Sequence, residues 1–282
     1  MEKIFVAGAG TMGLDIARVF AGAGLDVAVR DISDEILKKA AAKLDATLAR
    51  QVSGGKMSAA EADALRGRIA FTVDMAPAKE ADLVLEAIVE RADLKLAVFQ
   101  ELDALCRPDC VFASNTSSIS ITRLAAGSGR PDRFVGMHFF NPAGTMKLVE
   151  LTRSLTTSEE TFRAVYGLAL RIGKEPVEVR DSPGFVVNRL LVPMMNEAAC
   201  LLYEGVAGAE DIDKAMRLGA NHPMGPLHLA DLVGIDVLLS ACDMLYEQTH
   251  DPKFRACYLL RTMVRAGKLG RKTGEGFFRY DK

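Results

Sequence analysis

Neither sign of charge is in excess: 35 lysines and arginines stand against 37 aspartates and glutamates, a net charge of −2. That balance leaves no broad field for holding nucleic acid or an anionic membrane surface, although a local group of cations can still serve a phosphorylated ligand. No apolar run approaches the roughly 18–20 residues that cross a bilayer. The first strand-like residues begin at Ile4, so no signal or transit peptide is expected. Cysteine is scarce: Cys106, Cys110, Cys200, Cys242 and Cys257 are odd in number and scattered, so no disulfide framework is expected, and reduced thiols in a cytoplasm are. Cys106 and Cys110 flank Pro108 and have no second ligand pair, so no metal is expected. Internal repeats, low-complexity tracts and disordered linkers are missing as well.

What remains is a 282-residue chain with 49% hydrophobic and 26% charged residues, enough for one large or two ordinary domains with a buried core. Ile4–Ala9, Asp26–Asp31, Ile69–Asp74, Asp82–Ile88 and Cys110–Thr116 read as apolar strands separated by helical stretches. Such strands predict a parallel sheet covered on both faces, and right-handed crossovers make it a doubly wound α/β domain. Phe134–Phe140, Lys147–Thr152 and Glu175–Asp181 add three more strands. Thr157-Ser158-Glu159-Glu160 reads as a capping box that opens a helix before the last of them.

The stretch between Asp31 and Ile69 is far longer than the dozen or so residues a crossover requires. It predicts a helical hairpin, about 34–50 and 58–66, around Ser53-Gly54-Gly55-Lys56, with Ser58-Ala59-Ala60-Glu61 capping the second helix. A hairpin projecting from the sheet suggests an added ligand-binding element. After Asp181 the texture becomes helical throughout. Ser182-Pro183-Gly184 reads as a helix start, with Ser as N-cap and Pro in the first turn. The helix that follows, Phe185 to Leu202, is apolar almost all round and must be covered on several sides, which predicts a homodimer joined through this region. The expected division is a nucleotide-binding domain over 1–181 and an all-α substrate and dimerisation domain over 182–282.

Gly8-Ala9-Gly10-Thr11-Met12-Gly13 leaves the first strand and enters a helix, the setting of a Rossmann dinucleotide loop. Gly8 serves the tight turn, Gly10 the approach of the pyrophosphate, Gly13 the packing of helix on strand, and the helix N-terminus the phosphates. Asp31 follows at about the 20-residue spacing of a ribose-binding carboxylate and repels a 2′-phosphate, which favours NAD over NADP. Arg30, which could receive that phosphate, should point to the opposite side of the strand.

Abstraction of a hydroxyl proton near neutral pH suits a histidine, and only four are present: His138, His222, His228 and His250. His138 lies near the C-terminal end of a strand, where an open α/β sheet presents residues to the ligand crevice. Glu150, on the next strand, could accept one ring N–H and favour the protonated form. Taken alone, a histidine in such a strand is more often a core residue with its hydrogen bonds satisfied. His222 and His228 surround a Pro-Met-Gly-Pro turn and read as structural.

Ser114-Asn115-Thr116-Ser117-Ser118, Gly136-Met137-His138-Phe139-Phe140-Asn141-Pro142 and Lys147-Leu148-Val149-Glu150 resemble the L-3-hydroxyacyl-CoA dehydrogenase family. So do Ser182-Pro183-Gly184-Phe185-Val186-Val187-Asn188-Arg189 and Gly270-Arg271-Lys272-Thr273-Gly274-Glu275-Gly276-Phe277. The likeness covers the whole chain. Its length and Asn221-His222-Pro223-Met224-Gly225-Pro226 are most similar to the bacterial 3-hydroxybutyryl-CoA branch. The resemblance implies an NAD-dependent oxidation of L-(3S)-3-hydroxyacyl-CoA, with His138 as general acid/base and Glu150 orienting it. It further implies that Ser117 donates to the substrate 3-oxygen and Asn188 fixes the reacting end. Glu90, Lys95 and Asn115 would line the cofactor pocket beside Gly8, Gly10, Thr11, Met12, Gly13 and Asp31. Ser53 and Lys56 would meet the CoA moiety.

Plainer roles exist for several of these residues. Ser117 could be a helix N-cap, Asn188 a surface residue and Lys56 a solvated turn residue. A dehydrogenase of free hydroxyacids on the same architecture is a rival, although a small acid needs no hairpin. A non-catalytic NAD-binding relative is another, opposed by the joint presence of Ser117, His138, Glu150 and Asn188.

Overall fold

A computed structural model describes residues 1–280. Within it the chain divides into two compact units, Met1–Phe185 and Val186–Lys282. The first unit runs β1 (Lys3–Ala7), α1 (Thr11–Gly22), β2 (Asp26–Arg30), α2 (Asp34–Ser53), α3 (Ala59–Gly67), β3 (Ile69–Thr72), β4 (Leu83–Glu86) and α4 (Ala92–Asp103). It continues with β5 (Val111–Ser114), α5 (Ile121–Gly127), β6 (Phe134–Phe139), β7 (Leu148–Arg153), α6 (Glu159–Arg171) and β8 (Glu175–Arg180).

All eight strands form one sheet in the order β3-β2-β1-β4-β5-β6-β7-β8. Alternation along β1 shows why it lies between two layers: Ile4 and Val6 join one apolar cluster, Phe5 and Ala7 the other. Ile4, Phe5 and Val6 each stabilise the fold by roughly 1.5–3 kcal/mol through burial. The pairs from β3 to β6 are parallel, but β7 runs antiparallel to β6, because the short loop between them cannot make a crossover. That reversal sets His138 directly opposite Glu150 in the ladder.

The insertion is a helical hairpin. Its second helix opens on the complete capping box of Ser58 and Glu61. Its first helix persists to Ser53, so Ser53 closes α2 instead of standing in the turn. Two further start signals settle differently from expectation. The N-cap of α6 is Ser158, which accepts from the Thr161 amide, while the Thr157 hydroxyl donates to the Phe134 carbonyl at 2.6 Å. Ser182-Pro183-Gly184 forms a turn in place of a helix start: the Phe185 amide donates to the Ser182 carbonyl at 3.0 Å, and Phe185 is buried in the core of the first unit.

The second unit is helical: α7 (Val187–Tyr203), α8 (Ala209–Gly219), α9 (Pro226–Val233), α10 (Ile235–Thr249) and α11 (Tyr258–Arg265). Its core gathers Val192, Met195, Leu238, Cys242, Leu245 and Leu260. Asp231, 1% exposed, ties the C-terminal turn onto α9 by accepting from the amides of Phe277 and Phe278 and the hydroxyl of Tyr280. His228, set against Asp213 at 2.6 Å and stacked on Phe278, belongs to this scaffold. No helix among the described residues is long and apolar enough to cross a membrane.

Candidate active site

The nucleotide end is built by close approach. Gly8 has φ +114, and a Cβ there would stand 2.5 Å from the Ala87 carbonyl oxygen, so only glycine lets the loop pass over β4. A Cβ on Gly13 would lie 2.0 Å from the Gly8 carbonyl oxygen. At Gly10, by contrast, a Cβ would meet nothing within 4 Å: the loop is open on the side where a pyrophosphate would lie. Gly10 is the N-cap of α1 and offers no side-chain cap, and the first turn, which holds Thr11, Met12 and Gly13, carries no acidic residue. The first amides of α1 are therefore available to an anion. Asp31 follows β2 and its carboxylate accepts from the amides of Ala9 at 2.7 Å and Ile32 at 2.7 Å, which fixes it beside the glycine loop. Arg30 turns away to the Val73 carbonyl. These residues fit a dinucleotide.

The second part of the site stands at the ends of β4, β5 and β6. His138 is 6% exposed, and its Nδ1 lies 2.9 Å from Oε2 of Glu150, itself 1% exposed. A carboxylate oxygen accepts, so Nδ1 carries the hydrogen and Nε2 is the nitrogen left to exchange a proton with a ligand. Phe140 and Phe185 flank the imidazole at ring-centroid distances of 4.6 and 5.6 Å.

Ser117 lies in the loop after β5, outside any helix; the N-cap of α5 is Ser120. The loop is held from below by Glu90. Its Oε1 accepts from the Thr116 hydroxyl, the amides of Ser117 and Ser118 and the Ser118 hydroxyl, at 2.5–3.1 Å. Burial opposes the charge on Glu90, but the Lys95 ammonium and the donating hydroxyls outweigh it and hold the carboxyl below its ordinary value.

Lys95 differs from its expected place. It is 1% exposed and its Nζ is engaged by Glu86 at 2.6 Å and Glu90 at 3.1 Å, so it underpins the pocket instead of lining it. Glu86, wholly buried, also accepts from the Ser114 hydroxyl at 2.6 Å and the Ile88 amide at 2.7 Å. Losing Lys95 would leave the buried Glu86 carboxylate without its counter-charge. Asn115, too, serves the framework: its Oδ1 accepts from the Phe139 amide at 2.8 Å, tying the Ser117 loop to the strand of His138. Asn188 stands half-buried in the first turn of α7 in the second unit.

The hairpin helix α2 borders a groove of about 200 Å³ lined by Thr11, Leu14, Asp15, Arg18, Lys43, Thr47, Asn141 and Pro142. It joins the glycine-loop helix to the loop that follows His138. Lys56 is exposed and borders a second cavity of about 450 Å³ with Arg18, Gln51, Arg171 and Lys174. Ser53 is exposed and its hydroxyl donates to the Arg50 carbonyl. Sequence reasoning did not single out Glu86, Lys43 or Thr47. The last two had a signal, since residues four apart share a helix face.

Residues 3–182 match the family model for the NAD-binding domain of 3-hydroxyacyl-CoA dehydrogenase, and residues 184–280 match that for its C-terminal domain. The chain is 48% identical over 282 residues to the probable 3-hydroxybutyryl-CoA dehydrogenase of Bacillus subtilis, covering 100% of this chain and 98% of that one. It is 47% identical over 280 residues to the 3-hydroxybutyryl-CoA dehydrogenase of Clostridioides difficile, covering 99% and 100%. A crystal structure of (S)-3-hydroxybutyryl-CoA dehydrogenase from Ralstonia eutropha superposes with a TM-score of 0.96 at 47% identity, covering 100% of both chains. With both family models matched end to end and a dinucleotide loop to go with them, the protein belongs to the 3-hydroxyacyl-CoA dehydrogenase family of oxidoreductases.

Proposed function

We propose that the chain interconverts L-(3S)-3-hydroxyacyl-CoA and 3-ketoacyl-CoA with NAD, prefers short acyl chains, and uses His138 and Glu150 as its acid/base pair. The observation that carries this reading is the buried imidazole whose Nδ1 is held by Glu150 at 2.9 Å, leaving Nε2 for the substrate oxygen. Bound nicotinamide would supply the hydride donor or acceptor at substrate C3. In the reducing direction Nε2 of His138 gives its proton to the 3-oxygen, and in the oxidising direction it takes that proton back. Glu150 offsets the charge of the imidazolium and keeps the ring in one tautomer. The Ser117 hydroxyl donates to the same oxygen, a contact that strengthens as negative charge develops there. Asn188 orients the acyl end.

Gly8, Gly10, Thr11, Met12, Gly13 and Asp31 would hold the dinucleotide. Asp31 favours NAD over NADP, since its carboxylate repels a 2′-phosphate and Arg30 bonds elsewhere. Glu90, Lys95 and Asn115 support the nicotinamide end by holding the Ser117 loop. The CoA chain runs along α2, through the groove of Lys43 and Thr47 toward Ser53 and Lys56. The activities of these relatives support a four-carbon acyl group and the (S) configuration. Exposed Leu190, Tyr203, Val206, Leu218 and Tyr258 on the helical unit support a homodimer through that unit, which light scattering would test. The five free thiols support a reducing cytoplasm.

The deciding experiment measures kcat/KM for C4, C8 and C16 3-ketoacyl-CoA and for free 3-ketoacids, each with NADH and NADPH. The expected order puts acetoacetyl-CoA with NADH first. Faster turnover of free acids would overturn the CoA assignment, and faster turnover with NADPH the cofactor assignment.

A further inference from the structure

We propose that Phe185 is a positioning residue for the acid/base histidine, packing beside the His138 imidazole together with Phe140 and holding it in place. The inference rests on the reading of His138 given above and adds a residue to it.

Phe185 is out of place by every local rule. It directly follows Ser182-Pro183-Gly184, where a helix start was expected, yet α7 begins only at Val187. Gly184 and Phe185 both take left-handed backbone, with φ of +74 and +50. For glycine this is ordinary; for a bulky side chain it costs on the order of the left-handed penalty for an L-residue and needs a compensating gain. The gain is visible in where the ring goes. The double left-handed turn aims it into the first unit, where the residue is 4% exposed and packs with the core of β5 and β6. There it lies 5.6 Å from the imidazole centroid at an interplanar angle of 50°, with Phe140 at 4.6 Å and 55°.

Glu150 fixes one ring nitrogen of His138 but not the ring plane, since an imidazole can still swing about the bond to Cβ while Nδ1 keeps a bent hydrogen bond. Two aromatic flanks remove that freedom and aim Nε2 along one line. They also keep water from the Nδ1–Oε2 contact, where a lower local dielectric strengthens the pairing. A small error of aim is costly in a proton transfer, so the effect should appear in turnover more than in binding.

Two variants separate ring from backbone. Phe185→Gly keeps the left-handed turn without its penalty and removes the ring; Phe185→Leu keeps apolar volume and removes the flat face. Both should lower kcat with acetoacetyl-CoA and NADH roughly 10–100-fold, with the dissociation constant for NADH, bound at the glycine loop, within about twofold of wild type. With only four histidines in the chain, 15N-histidine spectra assigned by loss of a signal in His138→Gln should show one tautomer in wild type and averaged nitrogen shifts in both variants. Wild-type kcat or an unaltered His138 signal in either folded variant overturns the proposal. If Phe185→Gly fails to bind NADH, the Leu variant decides. A His138→Gln enzyme as fast as wild type would instead remove the reading of His138 itself, whatever the Phe185 variants do.

Discussion

Two irregular segments of the first unit carry candidate contacts, and they are built in opposite ways. The loop after β5, which holds Ser117, is pinned by Glu90, Thr116 and the buried Glu86–Lys95 pair. The hairpin tip, where α2 ends at Ser53 and the turn carries Lys56, is exposed, and Lys56 makes no ion pair among the described residues. At the tip the amides of Gly54 and Gly55 bond only to the last carbonyls of α2. Where a bond to the reacting atom changes strength during the reaction, geometry must be fixed beforehand. Where a distant part of the ligand is merely held, a loose contact is enough, because it acts equally on ground and transition states.

The largest expected effect tests whether the pinned region performs the chemistry. His138→Gln keeps polarity but cannot exchange a proton, so kcat should fall roughly 10²–10⁴-fold while NADH binding is unchanged; a fall in affinity alone would contradict this. Glu150→Gln should also depress kcat, because the imidazolium loses its counter-charge. A wild-type rate in Glu150→Gln would break the pair.

Glu90→Gln should release the loop and cost about tenfold in kcat through misplacement of Ser117. It also has a pH signature. The folded protein holds Glu90 below the ordinary 4.5, so the stability it contributes is fully present above that value and is lost as pH falls through the lowered one. Thermal melts should therefore separate wild type from Glu90→Gln at neutral pH and converge on acidification. Parallel curves would mean that another group holds the loop.

At the far end, Asp31→Ser should narrow the preference for NADH over NADPH by about tenfold, equivalent to about 1.4 kcal/mol. An unchanged ratio would place discrimination elsewhere. The smallest effect belongs to the hairpin. Lys56→Ala should raise KM for the CoA substrate roughly 2–5-fold with kcat constant, the size of an exposed ion pair. A change in kcat instead would mean that the tip is not the loose partner described here.

The comparison also explains what could be read in advance. The eight strands, the glycine loop and the Ser58 cap are local signals, with side-chain period, turn residues and spacing all within a few residues. The pairing of His138 with Glu150 was legible because the strands are consecutive. Glu86 was not, since an acidic residue at a strand end looks solvated until α4 is known to bring Lys95 over it. Ser182-Pro183-Gly184 misled for a related reason. It carries the local marks of a helix start, but burial of the Phe185 ring outweighs them and delays the helix to Val187.

Asn115 to Ile119 belong to no helix or strand except through their neighbours, yet all five of their amides are engaged. Asn115 donates to the Glu86 carbonyl, Thr116 to the Ser114 hydroxyl, Ser117 and Ser118 to Glu90, and Ile119 to the Thr116 hydroxyl. In heavy water these five amides should exchange as slowly as those of the adjoining strands, opening only when the surrounding sheet opens. The segment that looks most like a loop would thus behave, on the hour timescale, as part of the core.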